Sequence, residues 1–72
     1  MGNNERIKLK TLLKYWISHN REHSQEFRDW AARVKEFGDA TASKELLQAA
    51  LDLDKASESL SQALKSLEEG EP

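Results

Sequence analysis

A chain of 72 residues is long enough for one small domain only. Because it has no cysteine, neither a disulfide nor a thiolate metal site can stabilise that domain. No apolar run approaches the roughly 20 residues of a membrane-spanning helix, so we expect a cytoplasmic protein with no membrane contact. The net charge of −2 is unevenly divided, with eight basic and five acidic residues in 1–37 but three and eight in 38–72, which favours packing one half against the other.

The first predicted element is a long helix over residues 5–37. Asn3 or Asn4 is expected to cap it, Glu5 suits the positive end of its dipole, and neither proline nor glycine interrupts it. Residues at alternating spacings of four and three form a heptad pattern: Leu9, Leu13, Trp16, Asn20, His23, Phe27, Trp30, Val34 and Phe37. The pattern is typical of a coiled coil and predicts that this helix packs lengthwise against another.

A break near residues 18–20 is the alternative, and it would give a three-helix bundle. Ser18 and Asn20 are residue types that compete locally for backbone hydrogen bonds, so either of them could start a new helix. The heptad phase nevertheless continues unchanged through these positions. The unbroken phase favours a single long helix.

Gly38 predicts a sharp turn, because glycine adopts the left-handed conformation that often ends a helix. Asp39 or Thr41 is then expected to cap a second helix over residues 41–69. Its heptad positions are Leu46, Ala50, Leu53, Ser57, Leu60, Leu64 and Leu67. Two helices of similar length predict an all-α antiparallel hairpin that forms one domain over 1–72, with 1–4 and 70–72 disordered.

Folding the chain at residues 38–40 pairs positions whose numbers sum to about 78. Asn20 then lies near Ser57, and His23 lies near Asp54 and Ser57, so we expect a polar layer of Asn20, His23 and Ser57 between the helices. A polar layer of this kind fixes register or oligomeric state. The same register predicts that basic residues near one terminus face acidic residues near the other: Arg6, Lys8, Lys10 and Lys14 against Glu68, Glu69 and Glu71.

A stripe of alanines runs along one flank of the second helix, and further apolar residues lie outside the heptad positions. The alanines are Ala42, Ala49, Ala56 and Ala63, and the further apolar residues are Leu12, Ile17, Leu47 and Leu51. This apolar surface is broader than a two-helix contact covers. We therefore expect a homodimer that forms a four-helix bundle, or else a partner helix.

His19 and His23 are candidate metal ligands, since residues four apart project from neighbouring turns of one helix face. Two imidazoles at this spacing suit Zn²⁺ or Ni²⁺. The alternative is structural: His23 would hydrogen-bond to Ser57 or Asp54 across the helices, while His19 is simply solvated.

Catalytic and nucleic-acid-binding patterns are absent from the sequence. It shows no nucleophile beside a base and no glycine-rich phosphate loop, so we nominate no catalytic or cofactor-binding residue. Its basic residues are few and its isoelectric point is about 5.6, which argues against nucleic acid. We expect a non-enzymatic interaction or self-association module, with a divalent-metal-binding or metal-sensing module as the alternative.

The segment over residues 15–30 resembles a small uncharacterised helical domain of prokaryotes with the motif H-W-x-x-H-N-x-E-H-x-x-x-F-R-x-W. Trp16, His19, Asn20 and His23 match it, while Tyr15 stands where that family has its first histidine. In that family the motif looks like three histidines on one helix face. The resemblance therefore implies interest in His19 and His23 as ligands, and it names no process.

Overall fold

A computed structural model describes residues 2–70, with side chains over 4–70, as two antiparallel helices joined by a tight turn. Helix α1 is Gly2–Glu36 and helix α2 is Ala40–Glu69. The all-α hairpin is confirmed. Because α1 is continuous through residues 18–20, the three-helix interpretation is wrong.

The start of α1 differs from the prediction. Residues 2–4 belong to the helix, so Asn3 and Asn4 lie inside it and do not cap it. The end of α2 agrees with the prediction, since Gly70 ends the helix and donates its backbone N–H to the carbonyl of Ser66 at 2.9 Å. The disorder expected of Met1, Glu71 and Pro72 falls outside the described residues.

The turn is built by Gly38 and Asp39, as predicted. Gly38 has a φ of +100°, and the backbone N–H groups of Gly38 and Asp39 donate to the carbonyls of Lys35 and Val34. These two bonds are the Schellman arrangement that satisfies the last carbonyls of a helix. The Asp39 carboxylate then accepts from the N–H of Ala42 at 2.9 Å and caps α2.

The face of α1 that meets α2 differs from the prediction at every second heptad position. Leu13 and Val34 are buried as expected, but Trp16 and Trp30 are exposed to 39 % and 51 %, and Phe37 is exposed as well. The buried neighbours on α1 are the residues directly after the predicted ones: Ile17, Ser24 and Ala31. Ile17, expected on the outer apolar surface, is therefore a core residue. On α2 the predicted positions Ala50 and Ser57 are buried, and Ser43 extends that line by one turn.

Small side chains explain this rotation of α1. Ser24 and Ala31 on α1 and Ser43 and Ala50 on α2 let the two backbones approach closely. The Ser43 hydroxyl donates to the carbonyl of Ala31 at 2.8 Å, and the Ser24 hydroxyl donates to the carbonyl of Ala50 at 3.3 Å. Tryptophan at these positions would hold the helices apart and prevent both bonds.

The predicted register is close to the observed one. Hydrogen bonds between the helices join Arg6 to Leu67, Ser24 to Asp54 and Arg28 to Asp54, so the paired residue numbers sum to between 73 and 82. The antiparallel alignment therefore brings the middle of α1, near residue 20, level with the middle of α2, near residue 54.

Arg6 joins the first turns of α1 to the last turn of α2. Arg6 Nη1 donates to the carbonyl oxygen of Leu67 at 3.1 Å, where the negative end of the α2 dipole favours a cation. Glu69 lies 3.9 Å from Lys65 of its own helix. Glu71, the third predicted acidic partner, lies outside the described residues.

The core of the hairpin is thin. Among residues 4–70 no large side chain is fully buried, and the buried apolar residues are Leu13, Ile17, Ala31, Val34 and Ala50. The accessible surface is 5555 Å², against about 4500 Å² for a typical folded monomer of 8.2 kDa. The excess of about 1000 Å² arises because a hairpin 55 Å long and 14 Å wide is far from spherical.

Candidate functional site

The contact between the helices has two edges of different chemistry. Arg28 of α1 contacts Asp54 of α2 at one edge, which we call the polar edge. A cleft there is lined by Arg21, Asp54, Ser57 and Ser61, so basic residues of α1 and polar residues of α2 border each other along it.

The opposite edge is apolar. Residues of α1 on the side away from Arg21 and Arg28 lie there, and α2 contributes its alanine stripe. We call this surface the aromatic–alanine face, and its members are Leu9, Leu12, Trp16, Trp30, Phe37, Ala42, Ala49, Ala56 and Ala63. All five large residues of this face are exposed. An apolar surface of this extent is unusual on a soluble monomer and is typical of an interaction site.

His19 and His23 lie near the middle of the same face. Their Nε2 atoms are 2.9 Å apart, so one ring donates a hydrogen bond to the other. The two rings meet edge to face, with centroids 4.3 Å apart. The prediction that the pair projects together from neighbouring turns is confirmed.

Neighbouring side chains hold the two imidazoles in place. Tyr15 stacks on His19 with ring centroids 5.4 Å apart, and Phe27 lies on the other side of His23 at 6.1 Å. Glu26 places a carboxylate oxygen 3.8 Å from Nδ1 of His23. The two Nε2 atoms are therefore held close together, while Nδ1 of His23 lies on the side of the Glu26 carboxylate.

The pair provides two metal ligands within one chain. Two nitrogens bound to a tetrahedral zinc ion at about 2.05 Å are separated by about 3.3 Å, which is close to the observed spacing of the Nε2 atoms. Within the part of the chain that the structure describes, no third histidine, aspartate or glutamate completes a group that could hold a metal.

The predicted polar layer of Asn20, His23 and Ser57 does not form. The Ser57 hydroxyl is buried and has no hydrogen-bond partner among the described residues, so Asn20, although half-buried, does not bond to it. His23 bonds to His19 on its own helix and does not reach Ser57 or Asp54. The cause is the rotation of α1, which turns Ser24 inward and moves His23 to the aromatic–alanine face.

The polar contact that does join the helices was not predicted. The Asp54 carboxylate accepts a hydrogen bond from the Ser24 hydroxyl at 2.7 Å and a second one from Nη2 of Arg28. The Ser24 hydrogen bond and the Arg28 charge lower the pKa of Asp54, although partial desolvation of the carboxyl opposes them. The signal available in the sequence was the spacing of Ser24 and Arg28, which places both on one side of α1.

Leu47 and Leu51 lie on the polar-edge side of α2. They are about half-exposed and line a groove with Lys35 and Lys44. The apolar surface predicted as one broad area is thus divided between the two sides of the hairpin. The aromatic–alanine face holds the larger side chains.

Within residues 2–70, neither helix has the length and apolar character needed to cross a membrane.

No curated protein and no solved structure matches the chain. Residues 9–67 match the family described as a domain of unknown function (DUF8180). This match covers most of both helices and confirms the expected likeness to a small uncharacterised domain. The chain therefore belongs to the DUF8180 family.

Proposed function

We propose that the hairpin is a non-enzymatic self-association module of the cytoplasm, in which a second copy covers the aromatic–alanine face to give a coiled-coil-like four-helix bundle. The observation that carries the proposal is the exposure of Trp16, Trp30 and Phe37 along one line of α1. Aromatic residues are favoured at the buried centres of protein interfaces. Their position outside the core of a single chain leaves them available for this role.

The available area suits a dimer. The hairpin extends over 55 by 14 Å, a flat footprint of about 770 Å², which is of the same order as the roughly 800 Å² of accessible surface that each partner of a typical stable complex buries. The thin core of the single chain supports the same conclusion, because domains of this size often depend on oligomerisation for stability.

The shape of the face is self-complementary. Its α1 side carries a ridge of large residues and its α2 side carries four alanines at seven-residue spacing. A two-fold axis across the helices sets each ridge against the ridge of the second copy, where large residues at seven-residue spacing can interdigitate. The same axis sets the two alanine stripes against each other, where their small side chains allow close approach. A second copy of this chain therefore fits the surface without any change of the hairpin.

The experiment compares Trp30→Ala with Leu51→Ala, two residues of similar exposure on opposite sides of the hairpin. Loss of a large aromatic anchor should weaken the dimer by at least about thirtyfold in dissociation constant, or about 2 kcal/mol. Leu51→Ala should leave it unchanged, and circular dichroism should show both variants helical. Sedimentation velocity over a concentration series measures the constant, and equal effects of the two changes would refute the assignment of the face.

A second candidate function is divalent-metal binding or sensing through His19 and His23. The observation that favours it is the 2.9 Å separation of their Nε2 atoms. A ligand that binds the folded state raises the melting temperature by mass action. The wild type but not His23→Ala should therefore melt at a higher temperature in Zn²⁺ or Ni²⁺, and an identical response of both would exclude the pair as the ligands.

A further inference from the structure

We propose that two copies of the chain bind one Zn²⁺ between them through His19 and His23 of each copy. The inference rests on the proposed self-association and adds a metal that controls it. Each hairpin supplies two ligands, and the second copy supplies the two that a single chain lacks within residues 2–70. A structural zinc site takes four ligands in a tetrahedron.

The position of the pair along the hairpin carries the inference. The aromatic–alanine faces of two copies overlap fully when the two-fold axis crosses the middle of the hairpin. Helix α1 covers Gly2–Glu36, so its middle is residue 19. With an axis across the helices, α1 packs antiparallel against α1 of the second copy, and His19 and His23 lie beside the axis. Both pairs then face each other.

The orientation of the rings suits a shared ion. The Nε2 atoms need to separate by only about 0.4 Å to reach the spacing of two zinc ligands, and a turn of the rings then directs both lone pairs at one ion. A carboxylate oxygen of Glu26 lies 3.8 Å from Nδ1 of His23, so a small side-chain shift brings it to the hydrogen-bond distance at which carboxylates commonly hold metal-bound histidines. The stacked ring of Tyr15 beside His19 and the tilted ring of Phe27 beside His23 limit the movement of the imidazoles before binding.

The chemistry of the ligands selects the ion. Neutral imidazoles suit Zn²⁺ and Ni²⁺, while Mg²⁺ and Ca²⁺ prefer oxygen ligands. A tetrahedral arrangement of four imidazoles favours Zn²⁺, because zinc has no preference for square-planar or octahedral geometry.

The test measures metal stoichiometry and mass together, using Zn²⁺ alone as the probe and EDTA as the metal-free condition. Native mass spectrometry of the wild type should show one Zn²⁺ for every two chains. If only the dimer binds the ion, free Zn²⁺ at a hundred times its dissociation constant should strengthen association about a hundredfold by sedimentation velocity.

His19→Ala and His23→Ala should each abolish the zinc effect and keep the association measured in EDTA. Ser18→Ala, an exposed neighbour on the same helix, should behave as the wild type. A bound Zn²⁺ for every chain, or zinc without effect on association, would overturn the shared site while self-association stands. A monomer in EDTA and in Zn²⁺ alike would refute the self-association itself.

The orientation of the two copies gives a second readout. The chain has no cysteine, so Thr41→Cys beside the turn carries a single spin label in each copy. The crosswise axis places the two labels at opposite ends of the dimer, at a distance close to the 55 Å length of the hairpin. A short distance between the labels would mean that the turns lie at the same end, and this would overturn the shared site.

Discussion

Asp54 of α2 forms an ion pair with Arg28 of α1. It is half-exposed, it accepts from Ser24, and it pairs with Arg28. These partners favour the ionised carboxylate and lower its pKa below the ordinary value of 3.8. A lowered pKa in the folded state means that the contact stabilises the hairpin above pH 3.8 and that this stabilisation is lost as the pH falls through the lowered value.

Asp54→Asn should therefore lower the melting temperature at pH 7, because the charged partner of Arg28 is removed. The difference from the wild type should shrink as the pH falls below 3.8, since the wild-type carboxylate is then protonated as well. Thermal melts by circular dichroism between pH 2 and 7 measure both curves. A difference that stays constant over this range would show that the charge of Asp54 does not stabilise the fold.

Ser57 and Ser43 form a matched pair of buried serines. The Ser43 hydroxyl donates to Ala31, while the Ser57 hydroxyl has no partner among the described residues. Both changes to alanine gain the same helix preference, so their difference isolates the hydrogen bond. Ser57→Ala should be more stable than Ser43→Ala by about 1 to 2 kcal/mol in urea unfolding. Equal stabilities would indicate that Ser57 is satisfied, for instance by Asn20.

At the scale of the helix, the sequence predicts α2 better than α1. On α2 the predicted heptad positions Ala50 and Ser57 are buried, and Leu47 and Leu51, which lie outside the heptad positions, are exposed as predicted. Helix α1 has two apolar lines beside Leu13, one through Trp16 and Trp30 and one through Ile17 and Ala31. Hydrophobicity alone favours burial of the tryptophans, but the close approach of α1 to Ala50 favours burial of the smaller residues.

The contacts of the candidate site also differ in whether they depend on how α1 is rotated against α2. The contact of His19 with His23 was predictable, because i,i+4 geometry within a helix does not depend on its partner. The contact of Ser24 with Asp54 was not, because it depends on how α1 is rotated against α2. The sequence carried one sign of this rotation. Small residues recur at seven-residue spacing on both helices, as Ser24 and Ala31 on α1 and as Ser43 and Ala50 on α2.

The turn between the helices can be tested by substituting Gly38. A β-carbon on Gly38 would meet nothing within 4 Å, so the cost of Gly38→Ala comes from its φ of +100° alone. We expect the free energy of unfolding to fall by about 1 to 2 kcal/mol. Gly38→Asn is the control and should lose less, because asparagine tolerates the left-handed region. If alanine and asparagine cost the same in urea unfolding, backbone conformation is not the cause.

At the scale of the whole molecule, the elongated hairpin leaves several large apolar side chains exposed. Its accessible area exceeds that of a typical folded monomer of its mass by about 1000 Å², and its largest side chains lie outside the core. Because Trp30 is half-exposed, Trp30→Ala should cost a single chain little and a dimer much more. Stability should therefore depend on protein concentration.

Sedimentation equilibrium of the wild type in EDTA, over a wide range of concentrations, tests self-association most directly. The account predicts a mass that rises with concentration toward about 16.4 kDa, twice the 8.2 kDa of one chain, without any metal. The transition should move to higher concentration in Trp30→Ala. A mass of 8.2 kDa at every concentration would contradict the account, and the aromatic–alanine face would then have to be assigned to a different protein.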